Sequence, residues 1–104
     1  MGVDAVYITF TRSKVTEEQS REVDTFLADF LPRFKGHPGV LAVFHYNRPE
    51  KGDEVTVTVW ENEGAVKAYR QSALIEEPIA FESAHNLPTT REGYPLVYAT
   101  SNQI

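Results

Sequence analysis

The chain has 104 residues, which is room for one domain with a single hydrophobic core, and we expect residues 1–104 to form that one domain. Its composition, 41% hydrophobic and 24% charged, is that of a folded globular protein, and the absence of cysteine excludes disulfides, thiolate metal sites and a cysteine nucleophile. The formal net charge of −5 would repel a phosphate backbone, so nucleic acid is not an expected partner.

The sequence also predicts no association with a membrane. The longest apolar run, Val40 to Phe44, is far shorter than the roughly 20 residues that cross a bilayer. The first residues contain no pattern typical of an export signal or a lipid anchor. We therefore expect a cytoplasmic protein.

The first two predicted elements are a strand and a long helix. Residues 5–11 alternate between apolar and polar side chains, which is typical of a strand. Thr16 and Gln19 have the spacing of a capping box, and apolar residues then recur at three- and four-residue steps. This pattern predicts a helix that ends at Gly36 and Pro38, with Pro32 in its last turns.

A hairpin and two short helices follow. Residues 40–47 and 55–60 are rich in branched and aromatic residues and are separated by a polar turn, which predicts two paired strands. Asn62 can cap a second helix that reaches about Ser72, and Pro78 can open a third that ends near His85.

The last predicted strand covers residues 96–100, after a loop that contains Pro88, Gly93 and Pro95. The order strand, helix, strand, strand, helices, strand predicts a ferredoxin-like βαββαβ sandwich of the α+β class, with a four-stranded antiparallel sheet and helices on one side.

The two faces of this sheet differ in character, and their assignment determines where a site lies. We expect Val55, Val57 and Val59 to face the helices. The opposite face then carries threonine and aromatic side chains that no helix covers: Tyr7, Thr9, Phe44, Tyr46, Thr56, Thr58 and Trp60. A semi-apolar face of this size is rare on a soluble monomer, so we expect a homodimer in which two sheets pack together; a monomer with an open sheet is the alternative.

Three segments resemble the antibiotic biosynthesis monooxygenase-like family of the dimeric α+β barrel superfamily. They are Pro38–Leu41, the run Val57–Glu61 that leads into Ala65–Tyr69, and Phe81–His85. The resemblance covers nearly the whole chain and implies a dimeric α+β barrel. It implies several chemistries, because members include cofactor-independent oxygenases of quinone-forming pathways, haem-degrading enzymes and isomerases.

The resemblance points to Trp60 and His85 as catalytic residues. Trp60 occupies the place of a tryptophan at the end of the third strand in the quinone-forming oxygenases. His85 matches a histidine of the haem-degrading members, but the first strand has no matching asparagine and Tyr69 stands in place of their helical tryptophan. His85 could act as a general base near neutral pH or cap its helix, and Trp60 could line a substrate slot or simply pack in the core.

Other candidates are weaker. We expect Tyr7, Phe44, Tyr46, Thr58 and Tyr69 to contact a substrate, with packing as the alternative role for Tyr7 and Tyr69. Strand parity turns His45 toward the helices, as a hydrogen-bonded or rim histidine. No histidine pair has helical metal-ligand spacing and no nucleotide fingerprint occurs, so neither a metal nor another cofactor is expected.

The resulting hypothesis is a cofactor-independent monooxygenase that acts on a small aromatic or enolisable, quinol-like compound. A base such as His85 would form the substrate anion, which can react with oxygen without flavin or metal. Two alternatives remain open: a dimer that binds or senses a small molecule without turnover, and a haem-binding protein.

Overall fold

The structure is a computed structural model that describes residues 5–97. Its elements in chain order are β1 (Tyr7–Lys14), α1 (Glu17–Lys35), β2 (Val40–Arg48), β3 (Asp53–Trp60), α2 (Glu63–Arg70), α3 (Glu76–Ala84) and β4 (Thr89–Pro95). The four strands form one antiparallel sheet in the order β2-β3-β1-β4. The predicted ferredoxin-like α+β fold is therefore confirmed.

Both predicted helix caps form. The Thr16 hydroxyl accepts a hydrogen bond from the amide of Gln19 at 3.1 Å, and the Gln19 side chain accepts one from the amide of Thr16 at 2.9 Å. The Asn62 side chain accepts a bond from the amide of Ala65 at 2.8 Å and starts α2. Each cap satisfies amides that the helix cannot pair itself.

The last strand lies elsewhere than predicted. Residues 89–95, predicted as a loop, form β4 and pair along their whole length with β1. Gly93 lies inside this strand, where the Tyr7 ring packs against it. A Cβ at this position would come within 2.7 Å of that ring, so only glycine leaves enough room. The predicted strand over 96–100 is wrong for its first two residues, and the remainder lies outside the described residues.

The assignment of the two sheet faces was also wrong. The helices cover the face of Thr9, Thr58 and Trp60, which are at most 7% exposed. Trp60 belongs to the main core cluster with residues of α1 and α2 and with Ile75 just before α3, and no valine of β3 does. The physical reason is size: the indole fills the space between helices and sheet, and its strand neighbours of the same parity follow it to that side.

The opposite, open face is the apolar one. In register with one another on it lie Ile8, Val59 and Tyr94, and next to them Phe10, Val57 and Phe44. Phe44, Tyr46 and Tyr94 are 47%, 41% and 49% exposed. Among residues 5–97, none of these open-face side chains belongs to the core cluster that the helices form with the sheet. The open face is thus more apolar than the threonine-rich face that was predicted to be left uncovered.

A buried carboxylate closes one end of the open face. Asp53 accepts hydrogen bonds from Arg48 at 3.0 and 2.6 Å, and Arg12 lies 3.8 Å away. The bonds from Arg48 lower the pKa of Asp53.

Across the described residues, no helix has the length and apolar character needed to cross a bilayer.

Candidate functional site

A cavity lies between the helices and the threonine face of the sheet. Aromatic side chains of α1 and α3 form one wall, among them Phe26, Phe30 and Phe81, while strand side chains form the other. Its volume of about 90 Å³ is below the roughly 300–1,000 Å³ of common small-molecule sites. A ligand larger than a few atoms therefore requires side chains at the mouth of the cavity to move.

The aromatic end of the cavity is built around Trp60. The indole N–H donates to the Thr9 hydroxyl at 2.9 Å, and Phe34 and Tyr69 pack against the ring with centroid distances of 5.6 and 5.5 Å. The Trp60 donor is already satisfied, so a polar ligand atom must compete with Thr9 for it. This end offers shape and apolar surface rather than a free donor.

Tyr69 adds a phenol to the same end. Burial raises the pKa of its hydroxyl to about 12. The hydroxyl therefore keeps its proton at neutral pH. Tyr69 can donate a hydrogen bond to a negatively charged ligand oxygen, but it cannot act there as a base.

The polar end of the cavity lies about 13 Å farther along β3, since a strand rises about 3.3 Å per residue. His45 of β2 is opposite Thr56 of β3, and its Nδ1 lies 2.8 Å from the Thr56 hydroxyl. Its Nε2 lies 2.6 Å from the Glu54 carboxylate, whose side chain is 1% exposed. The three residues thus form one continuous chain of hydrogen bonds that lines the cavity.

Helix α1 adds two residues to this polar end. Ser20 donates a hydrogen bond to the second carboxylate oxygen of Glu54. The pKa of Asp24 is raised, first by partial burial and then by its hydrogen bond with Glu54. The helix thereby holds Glu54 from the side opposite His45.

Three of these groups carry atoms of the kind that bind cations, but in this structure they are hydrogen-bonded to one another and are not assigned to a metal. Ligand atoms of Asp24, His45 and Glu54 lie within 4.8 Å of one another. One imidazole and two carboxylates suit several divalent metals, although the same atoms already satisfy each other by hydrogen bonds. The three residues lie on α1, β2 and β3, so no ligand spacing along a single helix could predict the group. The expectation of no bound metal stays a prediction.

The structure places His85 at the end of α3, outside the residues that line the cavity. Its Nδ1 lies 2.9 Å from the Phe81 carbonyl, its ring is 4.1 Å from that of Phe81, and its Nε2 is 3.9 Å from Glu22. These are the contacts of a histidine that caps its helix. Phe81 lines the cavity, whereas His85, which packs against it, does not.

The five predicted substrate contacts are divided among three places. Thr58 and Tyr69 line the cavity, and Tyr7 packs beside the core cluster on the same face of the sheet. Phe44 and Tyr46 lie on the open face, where strand parity pairs them with Val57 and Val55. Their predicted place on one face with Tyr7 is wrong, because the register sets Tyr7 opposite Trp60 instead.

Sequence reasoning missed the polar end as a site, although it turned His45 correctly toward the helices. The signal was present in the hairpin: once β2 and β3 are paired, His45 and Thr56 are opposite each other and Glu54 lies next on the same face. What the sequence could not show is that α1 brings Ser20 and Asp24 to the same point, since they are more than 20 residues away along the chain.

Comparison with known proteins identifies the family and the fold. The antibiotic biosynthesis monooxygenase family matches residues 6–79. Among curated proteins, none is similar enough in sequence to count as a relative.

Solved structures share the fold at low sequence identity. A crystal structure from Deinococcus radiodurans is 14% identical with a TM-score of 0.81 and covers 93% of this chain and 98% of its own. One from Mycobacterium tuberculosis is 13% identical with a TM-score of 0.79 and covers 93% and 100%. SnoaB, a cofactor-independent oxygenase from Streptomyces nogalater, is 13% identical with a TM-score of 0.75 and covers 94% and 99%.

Proposed function

Because the chain belongs to the antibiotic biosynthesis monooxygenase family, we propose that it is a cofactor-independent monooxygenase that oxidises a small aromatic or enolisable, quinol-like compound. The observation that carries this proposal is the cavity between sheet and helices. It combines aromatic walls with a histidine whose carboxylate partner is buried. SnoaB, which has the same fold, is a cofactor-independent oxygenase and supports the choice of reaction class.

The proposed reaction uses dioxygen as its second substrate. Loss of a proton from a phenolic or enolic hydroxyl gives an anion whose ring carbon is electron-rich. One oxygen atom then enters at that carbon as a carbonyl, and the other leaves as water with the two hydrogens that the substrate loses. The apolar walls favour this step by excluding bulk water from the anion.

Within this proposal, Trp60 and Tyr69 orient the substrate. Tyr69 keeps its hydroxyl proton because its pKa is about 12, so it can donate a hydrogen bond to a polar substrate atom at the aromatic end. Trp60 presents its ring to the substrate while its N–H is bound to Thr9. Thr58, 3% exposed, lies between Trp60 and the polar end.

The family resemblance suggests His85 as the base, although in this structure its ring packs against Phe81 and is not part of the cavity lining. The variant His85→Ala tests that role directly. If His85 is the base, the variant should lose nearly all turnover, on the order of 100-fold or more. If His85 only caps its helix, the variant should keep full turnover and be slightly less stable.

We propose further that the protein works as a homodimer joined through the open face. Support comes from the exposed aromatic residues Phe44, Tyr46 and Tyr94 beside the valines of β3. A second copy that packs its own sheet there would bury them, and interfaces of this obligate kind bury about 2,000 Å² or more. The cavity lies on the other side of the sheet and stays accessible in such a dimer.

Oxygen uptake during aerobic incubation with a panel of hydroquinones and polyphenols tests the proposed function. Enzyme-dependent uptake, with a quinone product whose new oxygen comes from labelled dioxygen, is the expected result. Saturable binding of the same compounds without uptake would indicate a ligand-binding dimer instead.

A further inference from the structure

The hydrogen bonds at the polar end lead from the cavity wall to a buried carboxylate. The Thr56 hydroxyl lines the cavity and lies 2.8 Å from Nδ1 of His45. Nε2 of His45 lies 2.6 Å from Oε1 of Glu54. Neither the aromatic end nor His85 takes part in this chain.

The direction of the protons follows if Asp24, whose pKa is raised by partial burial and by its hydrogen bond with Glu54, carries the proton of that pair and Glu54 is ionised. An ionised carboxylate only accepts, so the bond between His45 and Glu54 requires a proton on Nε2. Nδ1 is then the unprotonated nitrogen, and the Thr56 hydroxyl donates to it. Ser20 donates to the other oxygen of Glu54 and helps to hold the carboxylate in place.

We propose that Thr56, His45 and Glu54 form a proton relay that ionises the hydroxyl of the substrate in the cavity. Thr56 is the catalytic residue, because its oxygen touches the substrate. His45 and Glu54 act through it as positioning residues, with His45 as the final proton acceptor. This inference rests on the proposed function and names the group that begins its chemistry.

The relay balances. The substrate O–H bond breaks, its proton forms a new bond to Thr56 Oγ1, and the original proton of Thr56 moves to Nδ1 of His45. The products are a substrate oxyanion and an imidazolium that still donates from Nε2 to Glu54. No electron pair leaves the site, so this step needs no oxidant; oxygen reacts only with the anion.

The geometry also limits the substrate. The hydroxyl must reach Thr56 while the apolar part lies along Phe26 and Phe30, and the cavity volume is about 90 Å³. Among aromatic compounds, a single ring with an ionisable hydroxyl fits better than a fused polycyclic one. One-ring phenols are therefore the ligand class expected to use the relay.

Anaerobic absorbance titration with 4-nitrophenol tests the relay apart from oxygen chemistry, because the phenol and phenolate forms absorb at different wavelengths. At a pH below the ligand's own pKa, we expect the wild type to bind it as the phenolate. Thr56→Val and His45→Gln should lower the ratio of phenolate to phenol in the bound ligand about tenfold or more, which corresponds to one pKa unit. Thr56→Ser should restore the wild-type ratio.

Matched controls separate the relay from general damage. Thr25→Val and His37→Gln make the same chemical changes outside the cavity lining and should leave the bound phenolate unchanged. Circular dichroism checks that each variant folds. An equal phenolate ratio in wild type and Thr56→Val, or no ionisation of the ligand by wild type, would overturn the relay.

The two proposals can fail independently. If the wild type ionises 4-nitrophenol through Thr56 but takes up no oxygen with any compound of the panel, the relay holds and the oxygenase is wrong. If oxygen uptake occurs and Thr56→Val retains it in full, the oxygenase holds and the relay is wrong.

Discussion

The two faces of the single sheet differ in a way that reverses ordinary expectation. The covered face carries hydroxyls, a histidine and a glutamate, while the open face carries valines and exposed aromatic rings. Polar groups are tolerated under the helices because they bind one another, as Trp60 with Thr9 and His45 with Glu54 do. The exposed apolar groups on the open face are the observation that supports the proposed dimer.

Alternation along a strand separates the two faces of a sheet without showing which of them is inside. The covered face here is the one that carries Trp60, whose indole packs against side chains of α1 and α2. The hydroxyl groups beside it turn the core into a cavity with a polar end. The open face is the one through which we propose association, so the candidate site and the proposed interface lie on opposite sides of the sheet.

Truncation of Trp60 on the covered face is expected to have the largest effect on stability. Trp60→Ala removes a side chain that is 2% exposed and should lower the free energy of unfolding by about 3–5 kcal/mol, as measured by urea denaturation. Val57→Ala on the open face is the control and should cost less, because Val57 is only half-buried in the single chain. Equal losses would mean that the two faces are not packed differently.

A charge on the open face tests the interface. Phe44→Asp should weaken self-association by about 2 kcal/mol or more, roughly 30-fold, because symmetry places the substitution in both copies. Analytical ultracentrifugation measures the shift from dimer to monomer. Thr25→Asp on exposed α1 is the matched control, and dissociation by this variant, or none by Phe44→Asp, would contradict the assignment.

The acidic groups of the two faces should respond to pH with opposite sign. Arg48 lowers the pKa of Asp53 in the folded state, so its stabilising effect is complete above the ordinary value of 3.8 and is lost as pH falls through the folded pKa. The pKa of Asp24 is raised by partial burial and by Glu54, so its ionisation removes stability as pH rises above 3.8.

Urea midpoints measured from acid to neutral pH separate these two effects. Asp53→Asn should flatten the loss of stability on the acid side. Asp24→Asn should be more stable relative to wild type at neutral pH than it is at acid pH. The opposite slopes would show that the two carboxylates are held differently from the contacts described.

The smallest expected effect lies away from both faces. Thr16→Ala removes the cap of α1 and should cost about 1 kcal/mol, measured by thermal unfolding. Thr25→Ala, on the exposed face of the same helix, is the control and should change stability little. A cost for Thr25→Ala as large as that for Thr16→Ala would argue against a specific capping role.

Local signals predicted most of the fold. The capping box at Thr16, the cap at Asn62 and the hairpin all depend on neighbours within a few residues, and the structure confirms each. β4 was missed because its sequence is polar and contains a glycine that only makes sense against the ring of Tyr7. That contact joins residues far apart in the chain.

The site was predictable only in part, for the same reason. Thr58, Trp60 and Tyr69 were named as site candidates and line the cavity, but on the face opposite to the one assigned to Thr58 and Trp60. The link between His45 and Glu54 depends on strand register and on the approach of α1. The face assignment depends on which side the helices choose, and short-range alternation contains no information about that choice.

The fluorescence of Trp60 tests most directly that the cavity on the covered face is the binding site, because it is the only tryptophan in the chain. Titration with a one-ring phenol, excited where the phenol does not absorb, should change its emission saturably, with free N-acetyltryptophanamide as the control. Binding detected by calorimetry with unchanged Trp60 emission would place the ligand elsewhere and contradict the assignment of the cavity as the binding site.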